Sequence, residues 1–257
     1  MKEKSMRVLF INIQDIWLHC NSGGSQCSRR NYELICNYYG PENVHVISFV
    51  EGKKTRKELQ LQHPEVTFFP KFSNKILALF ASLFGCKIYL PWIEKKIIKF
   101  IKLYSPQIIF LDTTLLGRLF LKLSSRVQPF KKIVFMHNVE FNYAYNKVKN
   151  EGFLYYPSFW ASSYNEKIAI AQADLLISLN TRDAIETQKI YERKADILWP
   201  ITFQDNFDSQ KANTSIIKNN ELLFVGSNFA PNIHGLRWFV NSIMPYLRDI
   251  KLTIVGK

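Results

Sequence analysis

Seven short runs of β-branched and aromatic residues, most of them set apart by longer stretches of helical period, constrain this chain more than anything else in it. They are "RVLFIN" from Arg7, "NVHVISF" from Asn43, "VTFF" from Val66, "QIIFL" from Gln107, "KIVFM" from Lys132, "DLLISL" from Asp174 and "ADILW" from Ala195. Strands separated by helices return to the sheet in the same direction each time, so the pattern predicts βαβ units and a mostly parallel sheet. Helices are expected over 25–39, 92–104, 115–125, 158–172 and 182–191. Before the last of these, Asn180 and Asp183 stand where an N-cap and its reciprocal partner belong. The reading is an α/β chain with a Rossmann-like parallel-sheet domain over 1–202.

Beyond Trp199 and Pro200 the period is lost, and 203–219 reads as a polar linker. A second Rossmann-like domain then begins over 220–257. "ELLFVG" is a strand ending at Gly226, 232–247 is an amphipathic helix interrupted by Pro245, and "KLTIVGK" is a further strand. One βαβ unit leaves a sheet edge and helix-facing surfaces without cover. The expectation is a truncated chain, or a partner that supplies the missing layers.

Composition narrows the class. With 257 residues, 47% of them hydrophobic, the chain has enough apolar material for a packed core. The 34 Lys and Arg against 21 Asp and Glu give a formal charge of +13, which favours an anionic partner: nucleic acid, an acidic membrane surface or a phosphorylated substrate. Cys20, Cys27, Cys36 and Cys86 have no C-x-x-C spacing and no clustered histidines, so they read as free thiols of a reducing cytoplasm rather than zinc ligands. The first apolar run is too short for a signal-peptide core. The longest, "ILALFASLF" from Ile76, is about half of the ~20 residues a spanning helix needs.

In open α/β sheets ligands bind beyond the carboxyl ends of the strands, and the polar residues there are the candidates. After the first strand comes the loop 21–26, with Gly23, Gly24 and Ser25. A strand, a Gly-Gly turn and a helix N-terminus together make an anion site, although a glycine can serve the turn alone and the full G-x-G-x-x-G fingerprint is absent. After "QIIFL" come Asp112, Thr113 and Thr114, with Asp112 expected to cap the following turn. After "KIVFM" come His137, Asn138 and Glu140. A histidine leaving a buried parallel strand points toward the cleft and exchanges hydrogen bonds near neutral pH. Asn180 and Thr181 follow "DLLISL"; Ser227 and Asn228 follow Gly226. No Ser/His/Asp order and no metal-ligand cluster is legible.

A further feature is basic and amphipathic. On a helical wheel Ile93, Ile97, Ile101 and Tyr104 share one face, and Lys95, Lys96, Lys99 and Lys102 share another. Preceded by an apolar segment with Phe80, Leu83 and Phe84, this stretch could lie on an anionic bilayer; the alternative is a helix packed on the sheet with its lysines solvated. Nucleic acid is not expected as a partner, because no recognition helix or RNA-binding motif is present.

Several stretches together resemble retaining, nucleotide-sugar-dependent glycosyltransferases of the two-Rossmann-domain GT-B fold, in the branch that builds bacterial surface polysaccharides. They are "RVLFIN…GGSQCSRRNYELI", "SPQIIFLD", "KKIVFMHNVEFNYAYN", "AQADLLISLNTRDAIETQKIY", "ILWPITF" and "ELLFVGSNFAPNIHGLRWFVNSIMPYLRDIKLTIVGK". The resemblance implies an N-terminal domain that holds a glycan or lipid-linked acceptor and a C-terminal domain that holds the nucleotide-sugar donor. It implies that Gly23, Gly24 and Ser25 face the donor phosphates or the acceptor and that His137 is catalytic, beside the transferred sugar. Asn138, Glu140 and Asn180 are expected near substrate, and Gly226, with Ser227 and Asn228, would admit the diphosphate. It implies no metal and no other cofactor, and a cytoplasmic enzyme peripheral at the inner face of the membrane. The chain departs from the family in two respects: the paired glutamates seven residues apart lie beyond Lys257, and "SNFAPNIHG" after Gly226 lacks the usual arginine and lysine. Two other readings remain open, a non-catalytic module that binds acceptor, membrane or partner, and a sugar-nucleotide epimerase on the same fold.

Overall fold

In a computed structural model, which describes residues 6–18, 20, 22–72, 74–124, 130–202, 220–228 and 230–256, all seven apolar runs become strands of one parallel sheet. They are β1 (Val8–Asn12), β2 (Val44–Val50), β3 (Val66–Pro70), β4 (Ile108–Leu111), β5 (Lys131–Met136), β6 (Leu175–Ser178) and β7 (Ile197–Leu198). The spatial order is β3-β2-β1-β4-β5-β6-β7, with Val8 of β1 level with Val44 on one side and Ile108 on the other. The order reverses between β1 and β4, and there the connections leave toward opposite edges and open a crevice at the carboxyl end.

Alternation along the strands explains the two cores. Leu9, Ile11, Ile109 and Leu111 face one side and pack with Ile93, Ile97 and Ile101 of α4 (Pro91–Tyr104) and with α5 (Arg118–Ser124) and α7 (Tyr156–Gln172). Val8, Phe10, Phe110 and Phe135 face the other and pack against Cys27 and Ile35 of α1 (Gly23–Tyr39) and Leu59 of α2 (Lys53–Gln62). The remaining α-helices among the described residues of this unit are α3 (Lys75–Leu83), α6 (Glu140–Glu151) and α8 (Thr181–Tyr191). Where α5 begins, a Cβ on Gly117 would fall 2.0 Å from the Asn165 carbonyl oxygen of α7, so only glycine allows that approach.

Four sequence expectations change. Gly23 and Gly24 form no turn; they are the first residues of α1, which starts two residues earlier than expected because Ser22 caps it. The helix expected over 115–125 is confined to Arg118–Ser124, after a turn at 115–117, and Ser125 lies outside the described residues. The helix expected over 232–247 is α9 (Ala230–Ser242) followed by a 3₁₀ turn at Met244–Tyr246 that accommodates Pro245. The membrane-facing reading of α4 gives way to its alternative: Ile93, Ile97 and Ile101 are buried on the sheet, each worth about 1.5–3 kcal/mol, and are not free to enter a bilayer. Exposed apolar side chains sit instead on α3 and just after it, with Ile76 79% exposed, and with Phe80, Leu83 and Phe84 also open to solvent. No helix among the described residues is long and apolar enough to cross a membrane.

The chain divides into two compact units, Met1–Phe203 and Gln204–Lys257; the expected linker at 203–219 lies outside the described residues. Among the described residues the second unit contains β8 (Glu221–Val225), α9, the 3₁₀ turn and β9 (Lys251–Val255), with β8 and β9 paired in parallel from Glu221 opposite Lys251 to Val225 opposite Val255. The Gly226 N–H donates to the Val255 carbonyl at 3.0 Å. A Cβ on Gly256 would lie 1.7 Å from the Gly226 oxygen, so this close crossing requires glycine.

Candidate active site

At the carboxyl end of β1 the chain enters α1 through a reciprocal cap. Ser22 Oγ accepts from the Ser25 N–H at 3.0 Å, and Ser25 Oγ accepts from the Ser22 N–H at 3.0 Å. Ser25 is buried and its hydroxyl is engaged in the cap, so the structure gives its side chain a local partner rather than an open position. Gly23 and Gly24 occupy the first turn, where helix geometry leaves backbone N–H groups without intrahelical acceptors. Space around Gly23 is open to 4 Å, whereas Gly24 abuts the Gln14 side chain. Asn21 lies outside the described residues.

Further along its buried face α1 carries a polar stripe at helical spacing, Ser25, Ser28 and Asn31. Two of the three converge on Asp112, which leaves β4 with no solvent exposure. Ser28 Oγ donates to Asp112 Oδ2 in a short contact, Asn31 Nδ2 donates to Oδ1 at 2.8 Å, and His137 Nε2 donates to Oδ2 at 3.2 Å. The expectation that Asp112 caps the next turn is overturned: Thr113 Oγ1 does that, accepting from the Leu115 N–H at 3.1 Å. A fully buried carboxylate is stable only when its lone pairs are filled, and three donors fill them.

The same carboxylate decides the state of His137. Burial pulls the imidazole pKa down, but the charge and hydrogen bond of Asp112, joined by the Cys27 thiol, outweigh it and raise the pKa to about 10. The side chain is only 10% exposed. His137 is therefore a fixed imidazolium at neutral pH, a donor, and not the group that titrates near neutrality expected from sequence. Nor do Ser28, His137 and Asp112 form a hydrolase triad, because Ser28 is buried and donates to Asp112 instead of to the imidazole.

One turn beyond His137, α6 starts without a side-chain cap of its own. Glu166 of the neighbouring α7 takes that role: its two oxygens accept from the N–H groups of Glu140 and Phe141, each at 2.7 Å, and Oε2 also accepts from the Tyr191 hydroxyl at 2.6 Å. Burial pushes Glu166 up, and these donors pull against it. Burial, then the Glu166 charge, push Glu140 up to about 7, opposed by Lys87, by His137 and by the Asn138 side chain. Asn138 is exposed and lines a groove of about 310 Å³ with Asn142, Arg182 and Glu186. Asn180 is occupied: it caps α8, with Oδ1 accepting from the Asp183 N–H and Nδ2 donating to Asp183 Oδ2, both at 2.9 Å, as its sequence position predicts.

Of the candidates, the structure thus gathers Gly23, Gly24, Ser25, His137, Asn138, Glu140 and Asn180 at the carboxyl end of the first sheet. Gly226, Ser227 and Asn228 occupy the corresponding β8 to α9 connection of the second unit, where Ser227 and Asn228 are exposed and the Ser227 carbonyl accepts from Asn232 Nδ2 at 3.2 Å. Sequence reasoning missed Ser28, Asn31, Glu166 and Lys87. The signal for the first two was a polar i, i+3 stripe on the face that should have been apolar, and for Glu166 a lone acid of α7 one turn before Ala169 and Ile170. Among the described residues no group of three His, Cys, Asp or Glu is arranged to hold a metal ion.

No protein-family model and no curated protein matches the sequence. Solved structures do match the fold. Sucrose-phosphate synthase from Thermosynechococcus elongatus aligns over 98% of this chain and 70% of its own, at 14% identity and a TM-score of 0.57. The chain has a GT-B-like fold. A protein assigned as UDP-N-acetylglucosamine 2-epimerase from Listeria monocytogenes aligns over 98% of this chain and 63% of its own, at 13% identity and 0.51. The lipopolysaccharide outer core galactosyltransferase WaaB aligns over 98% and 68%, at 13% identity and 0.50. The GT-B-like architecture, with its parallel sheet flanked by helices, is what these proteins share with the chain.

Proposed function

We propose that this chain belongs to a glycosyltransferase that moves a sugar from a nucleotide-sugar donor to a glycan or lipid-linked acceptor in surface polysaccharide synthesis. The Met1–Phe203 unit binds the acceptor, and the β8 to α9 connection, with Gly226, Ser227 and Asn228, approaches the donor diphosphate. The observation that carries the proposal is the imidazolium of His137, held by Asp112 at the carboxyl end of the sheet beside the strand-order reversal. In transfer, the bond from the anomeric carbon to the phosphate oxygen breaks and its electron pair stays on the diphosphate. A bond to the acceptor oxygen forms, and the acceptor's proton leaves to the diphosphate. Negative charge grows on the leaving group, and the oriented dipole of the His137–Asp112 pair, net neutral but fixed in place with no reorganisation to undergo, stabilises it. The N–H groups of Gly23 and Gly24 supply further oriented donors, and Asn138 offers an amide to sugar hydroxyls.

Nucleoside diphosphate release from a panel of UDP-, GDP- and dTDP-sugars, followed by phosphorus NMR, tests this reading. The expected outcome is release that falls about 10²–10³-fold in His137→Ala, the range for losing one preorganised donor. Epimerised donor without diphosphate release would overturn it in favour of the epimerase reading, and vesicle or glycan binding without any turnover in favour of the non-catalytic module.

A lipid-linked acceptor requires access to a membrane surface, and exposed Ile76, Phe80, Leu83 and Phe84 with a formal charge of +13 support peripheral contact with anionic lipid. Co-sedimentation with vesicles containing phosphatidylglycerol should fall sharply in Ile76→Ser/Leu83→Ser; unchanged binding would remove α3 from the proposal.

A further inference from the structure

Between α6, α7 and the connection from α3 to α4 lies a cavity of about 110 Å³ that the functional reading above does not use. Lys87, Glu140, Lys147, Ser158 and Ser162 stand on its wall. Lys87 Nζ donates to Ser158 Oγ and makes no ion pair among the described residues. Burial pulls this amine down to about 8; the Glu140 charge opposes the fall and the Lys147 charge adds to it. A good share of the molecules therefore carries a neutral amine with a free lone pair near neutral pH. Ser162 is 1% exposed, and its hydroxyl has no hydrogen-bond partner among the described residues. A buried hydroxyl in that state lacks an acceptor, and the cavity is where one can stand. Lys147 Nζ rests over the Tyr155 ring, 4.6 Å from its centre.

Space and charge select what can supply that acceptor. The cavity has room for about three or four waters, and hence for a group of about three heavy atoms. A free anion would add net charge beside the Glu140 carboxyl and leave the Lys87 lone pair unused. An acetyl group on Lys87 is small enough, but it sets a methyl where Ser162 and Lys147 call for oxygen. Carbon dioxide meets both conditions. The Lys87 lone pair forms a bond to its carbon, one C=O electron pair moves onto oxygen, and the proton displaced from nitrogen passes to Glu140. Burial and the Glu166 charge hold that carboxyl at about 7, which fits it to receive the proton. Negative charge moves from Glu140 to the new carbamate, so the total in the cavity is unchanged and no further charge is buried.

We infer that Lys87 is a site of reversible modification by carbon dioxide, whose carbamate fills the cavity, accepts from Ser162 and Lys147, and keeps an N–H on Ser158. The modification joins α6, through Lys147, to α7, through Ser162, next to the segment that carries His137. Carbon dioxide then stabilises the Met1–Phe203 unit by mass action, because the pocket exists only in the folded chain. The inference is independent of sugar transfer.

Trapping tests it. The full chain is equilibrated with isotopically labelled bicarbonate at about pH 8, alkylated with triethyloxonium to turn any carbamate into a stable ethyl ester, digested, and read by peptide mass spectrometry. The labelled adduct should stand on Lys87 at about tenfold or more the occupancy of the exposed Lys96 and Lys149, and should fall about tenfold in Ser162→Ala, the loss for one hydrogen bond to a charged acceptor. Melting gives a second readout. Bicarbonate should raise Tm in wild type and leave it unchanged in Lys87→Arg, which keeps the cation but forms no carbamate; Lys87→Met serves if the guanidinium does not fit. Nitrate, a planar anion of similar size that cannot react with the amine, is the control. An equal rise in Tm with nitrate and no adduct would mean simple anion binding and overturn the inference. So would an adduct on Lys87 no more abundant than on the exposed lysines, or none at all, the result for a cavity that holds only water.

Discussion

His137 sets the clearest expectation at the scale of single residues, because its proton links the site to the stability of the fold. Its pKa is raised from the ordinary 6.5 to about 10, so the native state holds this proton more tightly than the unfolded chain. The pairing with Asp112 therefore contributes fully below about pH 6.5, and the contribution is lost as pH rises through about 10. Lys87, pulled down to about 8, acts in the opposite sense: the cost of its buried charge is relieved between about 8 and 10.5. Comparing wild type with His137→Gln isolates the first effect. In urea denaturation at about pH 6 and about pH 9.5 the wild type should lose up to a few kcal/mol more than the variant; equal losses would show that the imidazolium is not held. His137 was legible in the sequence as a histidine at a strand end, but its protonation was not. The partners that fix it, Asp112 and Ser28, whose hydroxyl oxygen also lies 3.4 Å from the imidazole Nε2 and accepts from it, are 25 and 109 residues away, and nothing local marks such pairs.

Among elements, α6 depends most on a neighbour. Its first N–H groups have no side-chain cap of their own and are held by Glu166 from α7. Replacing Glu166 by Gln leaves one good acceptor where there were two and turns a donor toward the helix. The expected cost is about 1–3 kcal/mol, with faster amide exchange at Glu140 and Phe141 while β1 and β4 stay protected; unchanged exchange at α6 would mean the cap is not limiting. The same dependence explains why α6 escaped sequence reading. Among its residues only Ala144 is fully buried, so "EFNYAYNKVKNE" carries almost no apolar period. Likewise α2 buries only Leu59. The central strands β1, β2 and β4 were legible because both of their faces are buried, and an apolar run of four to seven residues has few other uses. The glycines of α1 misled for a different reason: Gly-Gly usually signals a turn, but Ser22 and Ser25 close a cap around this pair and draw it into the helix.

For the whole molecule, the two units differ in how much of their apolar surface is shielded. In the seven-stranded sheet β1, β2, β4 and β6 are buried along almost their whole length and β5 over its carboxyl half, whereas Leu223 and Val225 of β8 and Ile254 and Val255 of β9 are exposed. Hydrogen exchange followed by mass spectrometry should show β8 and β9 exchanging orders of magnitude faster than β1, β4 and β5, with no shared opening event. Equal protection would mean that the units unfold together. The connectivity of the Asp112 cluster also bears on the order of assembly. Its donors come from residues 28, 31 and 137, so the carboxylate is synthesised long after α1 and well before the imidazole that completes its charge. A partly folded chain that docked β4 without β5 would bury an anion with only two neutral donors. A carboxyl so placed takes up a proton, so the docking of β5 onto β4 brings the imidazole and ionises Asp112 together: assembly of the sheet and charging of the site are one linked event.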